Sequence, residues 1–154
     1  MSTNAHTTAT EILTKLHTQV IDAVRGYEDA EKATRQADIG ALCVDLRHIH
    51  VRHAHELAGA LADLGHRPDS DGSFMSLVHK AVISARVSLT ADDTSILPGL
   101  RDGEKRIVAA YDDALCEAEI NPAELGGHID LLRRQRAAAV ENITKIDAVT
   151  KQTA

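Results

Sequence analysis

The chain has few aromatic residues and few prolines, and each scarcity excludes a class of structure. Aromatic residues make up 2% of the 154 residues, and tryptophan is absent. A core built from Leu, Ile, Val and Ala favours close-packed helices over a β-sandwich, in which β-branched and aromatic residues dominate. The three prolines, Pro68, Pro98 and Pro122, leave long uninterrupted stretches between them, as long helices require.

Cysteine is also scarce. Cys43 and Cys116 lack the close spacing of a metal-binding or redox pair, and both lie within helical patterns. We therefore expect two small core residues without a disulfide, in a protein of the reducing cytoplasm.

Neither an excess of basic residues nor a long apolar run is present. The formal net charge is −6, and no basic tail or stripe is available to neutralise phosphates, so we expect no nucleic-acid partner. No stretch of about 18 apolar residues occurs, which predicts that no segment crosses a membrane. The first ten residues are polar and lack the apolar run of a signal peptide.

Apolar residues recur three and four positions apart in five segments, which predicts five helices. Thr10 is the expected N-cap of the first helix, Gly65 the expected stop of the second, and Gly126-Gly127 should kink or delay the last. After a flexible segment at 1–10, the predicted helices cover about 10–37, 41–64, 73–89, 92–119 and 122–150.

The third predicted helix is short and lies in the link between the second and fourth, a link long enough to cross the length of a bundle. The pattern therefore predicts one all-α domain at 11–150, a ferritin-like four-helix bundle with an additional helix in the crossover between helices two and four.

Polar residues fall on the apolar face of every long helix. They include Tyr27 on the first helix, His53 on the second, Glu104 on the fourth, and Gln135 and Asn142 on the last. A buried carboxylate is costly unless it is paired, hydrogen-bonded or bound to a metal. The explanation we favour is a polar network that fixes the register of the helices.

The alternative explanation is a metal cage. Ferritin-like di-iron sites take a Glu from each of two helices and a Glu-x-x-His from each of the other two. Glu31 and Glu104 are the candidate single carboxylates, and His53 and Glu56 have the i, i+3 spacing in reversed order. The last helix offers no such motif, so these four residues form an incomplete ligand set, for which iron or zinc would be the metal.

Four histidines lie close together on the second predicted helix. Two histidines at i, i+3, such as His50 and His53, hold a divalent metal only with help from another helix or chain. The favoured interpretation is that His48 and His55 are solvated and that His53 is a core histidine with its hydrogen bonds satisfied.

Short motifs follow one another in order from Ile12 to Ile146. They are Gly26-Tyr27, Ala30-Glu31, Glu56-Leu57, Gly65, Pro68, Gly72-Ser73, His79-Lys80, and Gly103-Glu104 followed by Tyr111 and Ala114-Leu115. Together they resemble a family of bacterial ferritin-like four-helix-bundle proteins of unknown function that is common in proteobacteria. The resemblance implies the fold and leaves the function open. Arg101, where the family often has an acidic residue, and the lack of a histidine near Val140 weaken the inference of a metal centre.

These observations predict a non-enzymatic protein with a stress-associated, assembly or interaction role, and a metal-binding bundle with a degenerate site is the alternative. The sequence contains no Gly-rich phosphate loop and no nucleophile motif. Ala137, Ala138 and Ala139 on the last helix, and the second face of the crossover helix, are where we expect contacts in a homo-oligomer.

Overall fold

The computed structural model of the chain describes residues 2–66, 93–120 and 122–153, and these residues are almost entirely helical. No β-strand occurs in those ranges, so the all-α prediction is confirmed. The helix predicted at 73–89 lies outside the described residues. The four long helices are α1 Ser2–Ala33, α2 Ala37–Asp63, α3 Asp93–Ile120 and α4 Ile129–Thr153.

Two apolar clusters fill the interior, one towards each end of the helices. The first joins the N-terminal halves of α1 and α4 to the C-terminal halves of α2 and α3, and includes Leu13, Leu57, Ala114 and Leu132. The second joins the opposite halves, and includes Ala30, Leu46, Leu97 and Ile146. Full burial of one leucine contributes about 1.5–3 kcal/mol. The two clusters therefore hold all four helices together.

The composition of these clusters also gives the direction of each helix. Because α1 and α4 run from the first cluster to the second, and α2 and α3 run from the second to the first, α2 and α3 point the same way. The end of α2 and the start of α3 consequently lie at opposite ends of the interior.

The bounds of α1 differ from those predicted. The sequence predicts a start at Thr10, whereas the helix begins at Ser2 and ends at Ala33 rather than near Ala37. Ala9 is only 2% exposed and belongs to the first apolar cluster, so the packed face of α1 extends beyond the predicted cap. The short polar link that follows α1 lets α2 begin at Ala37.

Helix α2 ends just before Gly65, as its sequence predicts. Gly65 has a φ of +80°, a conformation that glycine adopts without the steric cost of a Cβ. The backbone N–H of Gly65 donates to Ala62, and that of His66 donates to Leu61 over 2.9 Å. These bonds satisfy carbonyls that the last turn of a helix leaves without a partner.

A one-turn helix, Pro122–Leu125, and a 3₁₀ turn, Gly126–His128, separate α3 from α4. The glycine pair thus delays the last long helix, as its sequence indicates, and α4 begins at Ile129. Within the described ranges, no helix is both long enough and apolar enough to cross a lipid bilayer.

The two cysteines differ, and one prediction about them is wrong. Both are free thiols, but Cys43 is buried and Cys116 is exposed. The interior face of α3 includes Ala114 and Ala118. Cys116, halfway between them along the helix, therefore points outward. Burial raises the pKa of the Cys43 thiol to about 11, so this side chain stays protonated at neutral pH.

Candidate functional site

A buried carboxylate lies in the middle of the helices. The side chain of Glu104 on α3 has no exposed surface, and its Oε1 accepts a hydrogen bond of 2.5 Å from the hydroxyl of Tyr27 on α1. His50 on α2 places Nε2 2.6 Å from the same oxygen, and the side-chain amide of Asn142 on α4 donates to it over 3.4 Å. We call Tyr27, His50, Glu104 and Asn142 the Glu104 cluster. It joins all four long helices through one carboxylate oxygen.

Three of these four side chains also carry a polar atom that has no partner among the described residues. Among the described residues, Glu104 Oε2, His50 Nδ1 and Asn142 Oδ1 are buried and have no hydrogen-bond partner. Leaving a buried polar atom unpaired costs about 1–3 kcal/mol, and more for a charged group. The Glu104 cluster is therefore stabilised on one side of the carboxylate and unsatisfied on the other.

A second group of buried polar residues lies two turns further along α3, and its members satisfy one another's hydrogen bonds. The hydroxyl of Tyr111 donates to Gln135 Oε1 over 2.7 Å. The Gln135 amide nitrogen lies 3.3 Å from the carbonyl oxygen of His53 and 3.4 Å from Glu56 Oε1, and donates to both. We call Tyr111, Gln135 and these two acceptors the Gln135 layer. Its buried amide has a partner at each end.

The predicted metal ligands do not meet at one point. Glu31 pairs with Arg47 of α2 at 3.3 Å, between α1 and α2, and Glu56 pairs with Arg134 of α4 at 2.6 Å. His53 is buried on α2, and Glu104 belongs to the cluster described above. In the described part of the chain, no group of three or more His, Cys, Asp or Glu side chains is placed to hold a metal ion.

His50 is the member of the Glu104 cluster that the sequence pattern does not place on the interior face of α2. It is fully buried, whereas the neighbouring Ile49 is only half-buried. The ring of His50 stacks on that of Tyr27, with centroids 5.7 Å apart, and meets the edge of the His53 ring at 5.9 Å. His48 and His55 are exposed, as expected, whereas the buried His53 does not have all its hydrogen bonds satisfied, since its Nδ1 has no partner among the described residues.

Burial controls the protonation of the side chains around the carboxylate. It raises the pKa of Tyr27 far above its usual range, and the negative charge of Glu104 and the hydrogen bond to it act in the same direction. Tyr27 is therefore a permanent donor. Burial, together with the neighbouring His50, lowers the pKa of His53 to about 4, so His53 is neutral at pH 7.

Two clefts reach the buried polar residues from opposite sides. One, between α1 and α3, has a volume of about 370 Å³ and is lined by Tyr27 and Glu104 together with glycines of both helices. The other, between α2 and α4, has a volume of about 220 Å³ and reaches His53 and Asn142. A Cβ on Gly26 would meet no atom of the described residues within 4 Å outside its own helix, because this glycine borders the first cleft.

Arg101, one of the departures from the resembled family, has a structural partner. Its Nε donates to Asp147 Oδ1 over 2.7 Å, which ties the N-terminal part of α3 to the C-terminal part of α4. Both side chains are 39% exposed, so the pair contributes at most about 1 kcal/mol. Arg101 thus contributes a charge pair between helices rather than a metal ligand.

The four packed helices and the buried polar side chains define an all-helical protein in which a few polar residues lie within an apolar core. The chain belongs to the family described as Domain of unknown function (DUF2383), whose model matches residues 8–117. That match includes Tyr27, His50 and Glu104 but ends before α4, which supplies Asn142. No curated protein and no solved structure matches the chain.

Proposed function

We propose that the chain is a ferritin-like helical bundle with a non-enzymatic role, in stress response, in assembly or in interaction with other proteins. The parallel direction of α2 and α3 supports the ferritin-like connection, since that fold joins its two helical pairs by one long crossover. The proposal includes the additional helix at 73–89 within that crossover, and a cytoplasmic location.

The observation that carries the non-enzymatic proposal is the pairing of the candidate carboxylates with arginines. Glu31 pairs with Arg47 and Glu56 with Arg134, so each carboxylate already has a cationic partner on a neighbouring helix. Glu104, the remaining carboxylate, accepts hydrogen bonds from α1, α2 and α4. Such a set fits a network that fixes the register of the helices better than it fits a di-iron centre.

The proposed partner is a second copy of the chain rather than a nucleic acid, given the net charge of −6. The outer face of α4 supports this in part. Ala137 is exposed and Val140 is 41% exposed, whereas Ala139 is buried in the core and is removed from the predicted contact surface. Sedimentation velocity on the wild type and on Val140→Lys tests the contact. A dimer that this charge dissociates supports it, and a monomer at all concentrations contradicts it.

The competing proposal is a metal-binding bundle with a degenerate site that includes Glu31, His53, Glu56 and Glu104. It draws on the unpaired buried nitrogens of His50 and His53, because imidazole together with carboxylate suits iron and zinc. Binding an ion with the full set would require both Glu31 and Glu56 to leave their arginines.

Metal loading of the purified chain separates the two proposals. The protein is incubated aerobically with Fe(II), or with Zn(II), and desalted. Its metal content and thermal unfolding are then measured for the wild type, for Glu104→Gln and for the control Glu31→Gln. The non-enzymatic proposal expects no stoichiometric metal and an unchanged melting temperature. Stoichiometric metal that Glu104→Gln abolishes would establish the metal site instead.

A further inference from the structure

The cleft between α1 and α3 has the dimensions of a ligand site. Its volume of about 370 Å³ lies within the range of about 300–1,000 Å³ that small-molecule pockets occupy. We call it the α1–α3 cleft. Its lining includes Gln19, Asp22, Gly26, Gly99, Gly103 and Glu104.

Three glycines border the α1–α3 cleft, and neither packing nor backbone geometry requires them. A Cβ placed on Gly26, Gly99 or Gly103 would meet no heavy atom within 4 Å. None of the three has a positive φ, since Gly65 is the one such glycine in the described chain. Only proline is less favourable than glycine in the interior of a helix. Their common effect is to keep side chains out of one space.

That space is bordered by hydrogen-bond acceptors. Glu104 lines it, is 1% exposed, and has an Oε2 with no partner among the described residues. Gln19 also lines it, and its buried Oε1 likewise has no partner in the described part of the chain. Asp22 adds a second carboxylate to the lining. Arg106 is the single cationic residue among the lining side chains.

The two oxygens of Glu104 differ in a way that indicates the missing group. Oε1 accepts from Tyr27, His50 and Asn142, whereas Oε2 accepts from nothing described. A carboxylate oxygen in a poorly solvated site binds best to a charged N–H donor. A ligand that supplies such a donor through the cleft would complete the hydrogen bonding of the buried acid.

We propose that the α1–α3 cleft binds a small organic molecule through a protonated amine, which donates to Glu104 Oε2 at the bottom of the cleft. The apolar part of the ligand lies in the space that the glycines leave open, and Gln19 offers a second acceptor in the lining. This binding function is distinct from the assembly role proposed above and does not depend on it.

The test is a titration followed by nuclear magnetic resonance. Butylammonium chloride is added to the ¹⁵N-labelled full chain at pH 7, and 1-butanol, which has the same carbon chain without the charge, is the matched probe. We expect saturable shifts of the Gly26, Gly99 and Gly103 amides and no shift of Gly59, an exposed glycine of α2. One charged hydrogen bond corresponds to binding about 10- to 100-fold tighter for the amine than for the alcohol.

Two variants and one control distinguish binding in the cleft from general attraction to an acidic protein. Gly103→Leu fills the space and should abolish the shifts, whereas Gly59→Leu, the same change on α2, should leave the affinity unchanged. Glu104→Gln removes the charge and should weaken butylammonium binding to the level of butanol. Equal affinity for both probes, shifts spread over the acidic surface, no shifts at all, or full binding by Gly103→Leu would each overturn the proposal.

Discussion

The Glu104 cluster and the Gln135 layer both pair a buried tyrosine with a polar side chain on a facing helix, yet they end differently. In the Gln135 layer a neutral amide accepts from Tyr111 and donates to two oxygens of α2. In the Glu104 cluster a carboxylate receives all its hydrogen bonds at one oxygen and leaves the other without a partner in the described residues. The first arrangement is complete, and the second needs another group.

The difference separates two uses of buried polar residues. A fully satisfied network specifies one register of the helices and requires nothing from outside. A network with orphaned atoms retains a cost that a ligand, an ion or a water molecule can remove. The larger of the two clefts is lined by Tyr27 and Glu104 and not by Tyr111 or Gln135, whereas the smaller one is lined by His53 and Glu56 of the Gln135 layer and by Asn142.

The largest effect is expected when the acceptor of the Glu104 cluster is removed. Glu104→Ala leaves the buried donors of Tyr27, His50 and Asn142 without a partner and should lower the free energy of unfolding by about 3–5 kcal/mol. Urea denaturation followed by circular dichroism measures it. Glu31→Ala, which breaks a half-exposed ion pair, is the control and should cost about 1 kcal/mol or less. Similar losses in the two variants would contradict the central place of Glu104.

Acid should destabilise the fold through His53. Its ring contacts His50 of the Glu104 cluster, and its backbone carbonyl accepts a hydrogen bond from Gln135. The pKa of His53 is about 4 in the folded chain, against an ordinary value of 6.5, so between these pH values the unfolded chain binds more protons than the folded chain. The contribution of His53 to the free energy of unfolding is therefore complete above pH 6.5 and is lost as the pH decreases towards 4, by at most about 3 kcal/mol at about 1.4 kcal/mol per pH unit. Burial also lowers the pKa of His17, which acts with the same sign.

Urea denaturation at a series of pH values from 7.5 to 4.5 checks this dependence. His53→Gln should flatten the slope, leaving the part that His17 contributes. The exposed His48 provides the matched control, because His48→Gln should leave the slope unchanged. A slope that persists in full without His53 would assign the acid sensitivity to another group.

The sequence predicts the interior faces of α3 and α4 well and those of α1 and α2 less well. Glu104, Gln135 and Asn142 are recognisable because the helical period is a local property, and each of them stands between apolar residues of one stripe. His50 is missed because α2 packs against both α1 and α4, so its buried stripe is wider than a single seam.

The partners of the carboxylates could not be predicted for a different reason. Glu31 and Glu56 have the position of metal ligands on their helices, but Arg47 and Arg134 reach them from neighbouring helices. Which long side chain bridges two helices depends on their relative rotation and depth. Those quantities are set by the packing of the whole core and are absent from the spacing of residues along one helix.

A double-mutant cycle should show that the Gln135 layer is closed. Tyr111→Phe and Gln135→Met should each cost about 1–3 kcal/mol, because each leaves a buried group without its partner. The double variant should cost less than the sum of the two, since both partners are then apolar. Urea denaturation measures the coupling.

The matched cycle in the Glu104 cluster uses Tyr27→Phe and Glu104→Met. No comparable recovery is expected there, because His50 and Asn142 remain as buried donors without an acceptor. If the double variants recover equal amounts of stability in the two cycles, the distinction between the Gln135 layer and the Glu104 cluster would be contradicted.

The smallest effect concerns the glycine beside Glu104, and its sign is the informative part. Gly103→Ala should stabilise the chain by about 0.5–1 kcal/mol, because the added Cβ meets no atom within 4 Å and alanine restricts the unfolded chain. Gly65→Ala should instead destabilise it by about 1–2 kcal/mol, since the φ of +80° places a Cβ close to the following carbonyl oxygen. Thermal unfolding of both variants measures the two signs. A gain at Gly103 means that the fold does not need this glycine, which supports a role in keeping the α1–α3 cleft open beside Glu104. A loss there would mean that α1 and α3 require the glycine for packing. The glycine would then no longer support a ligand site in the α1–α3 cleft beside the Glu104 cluster.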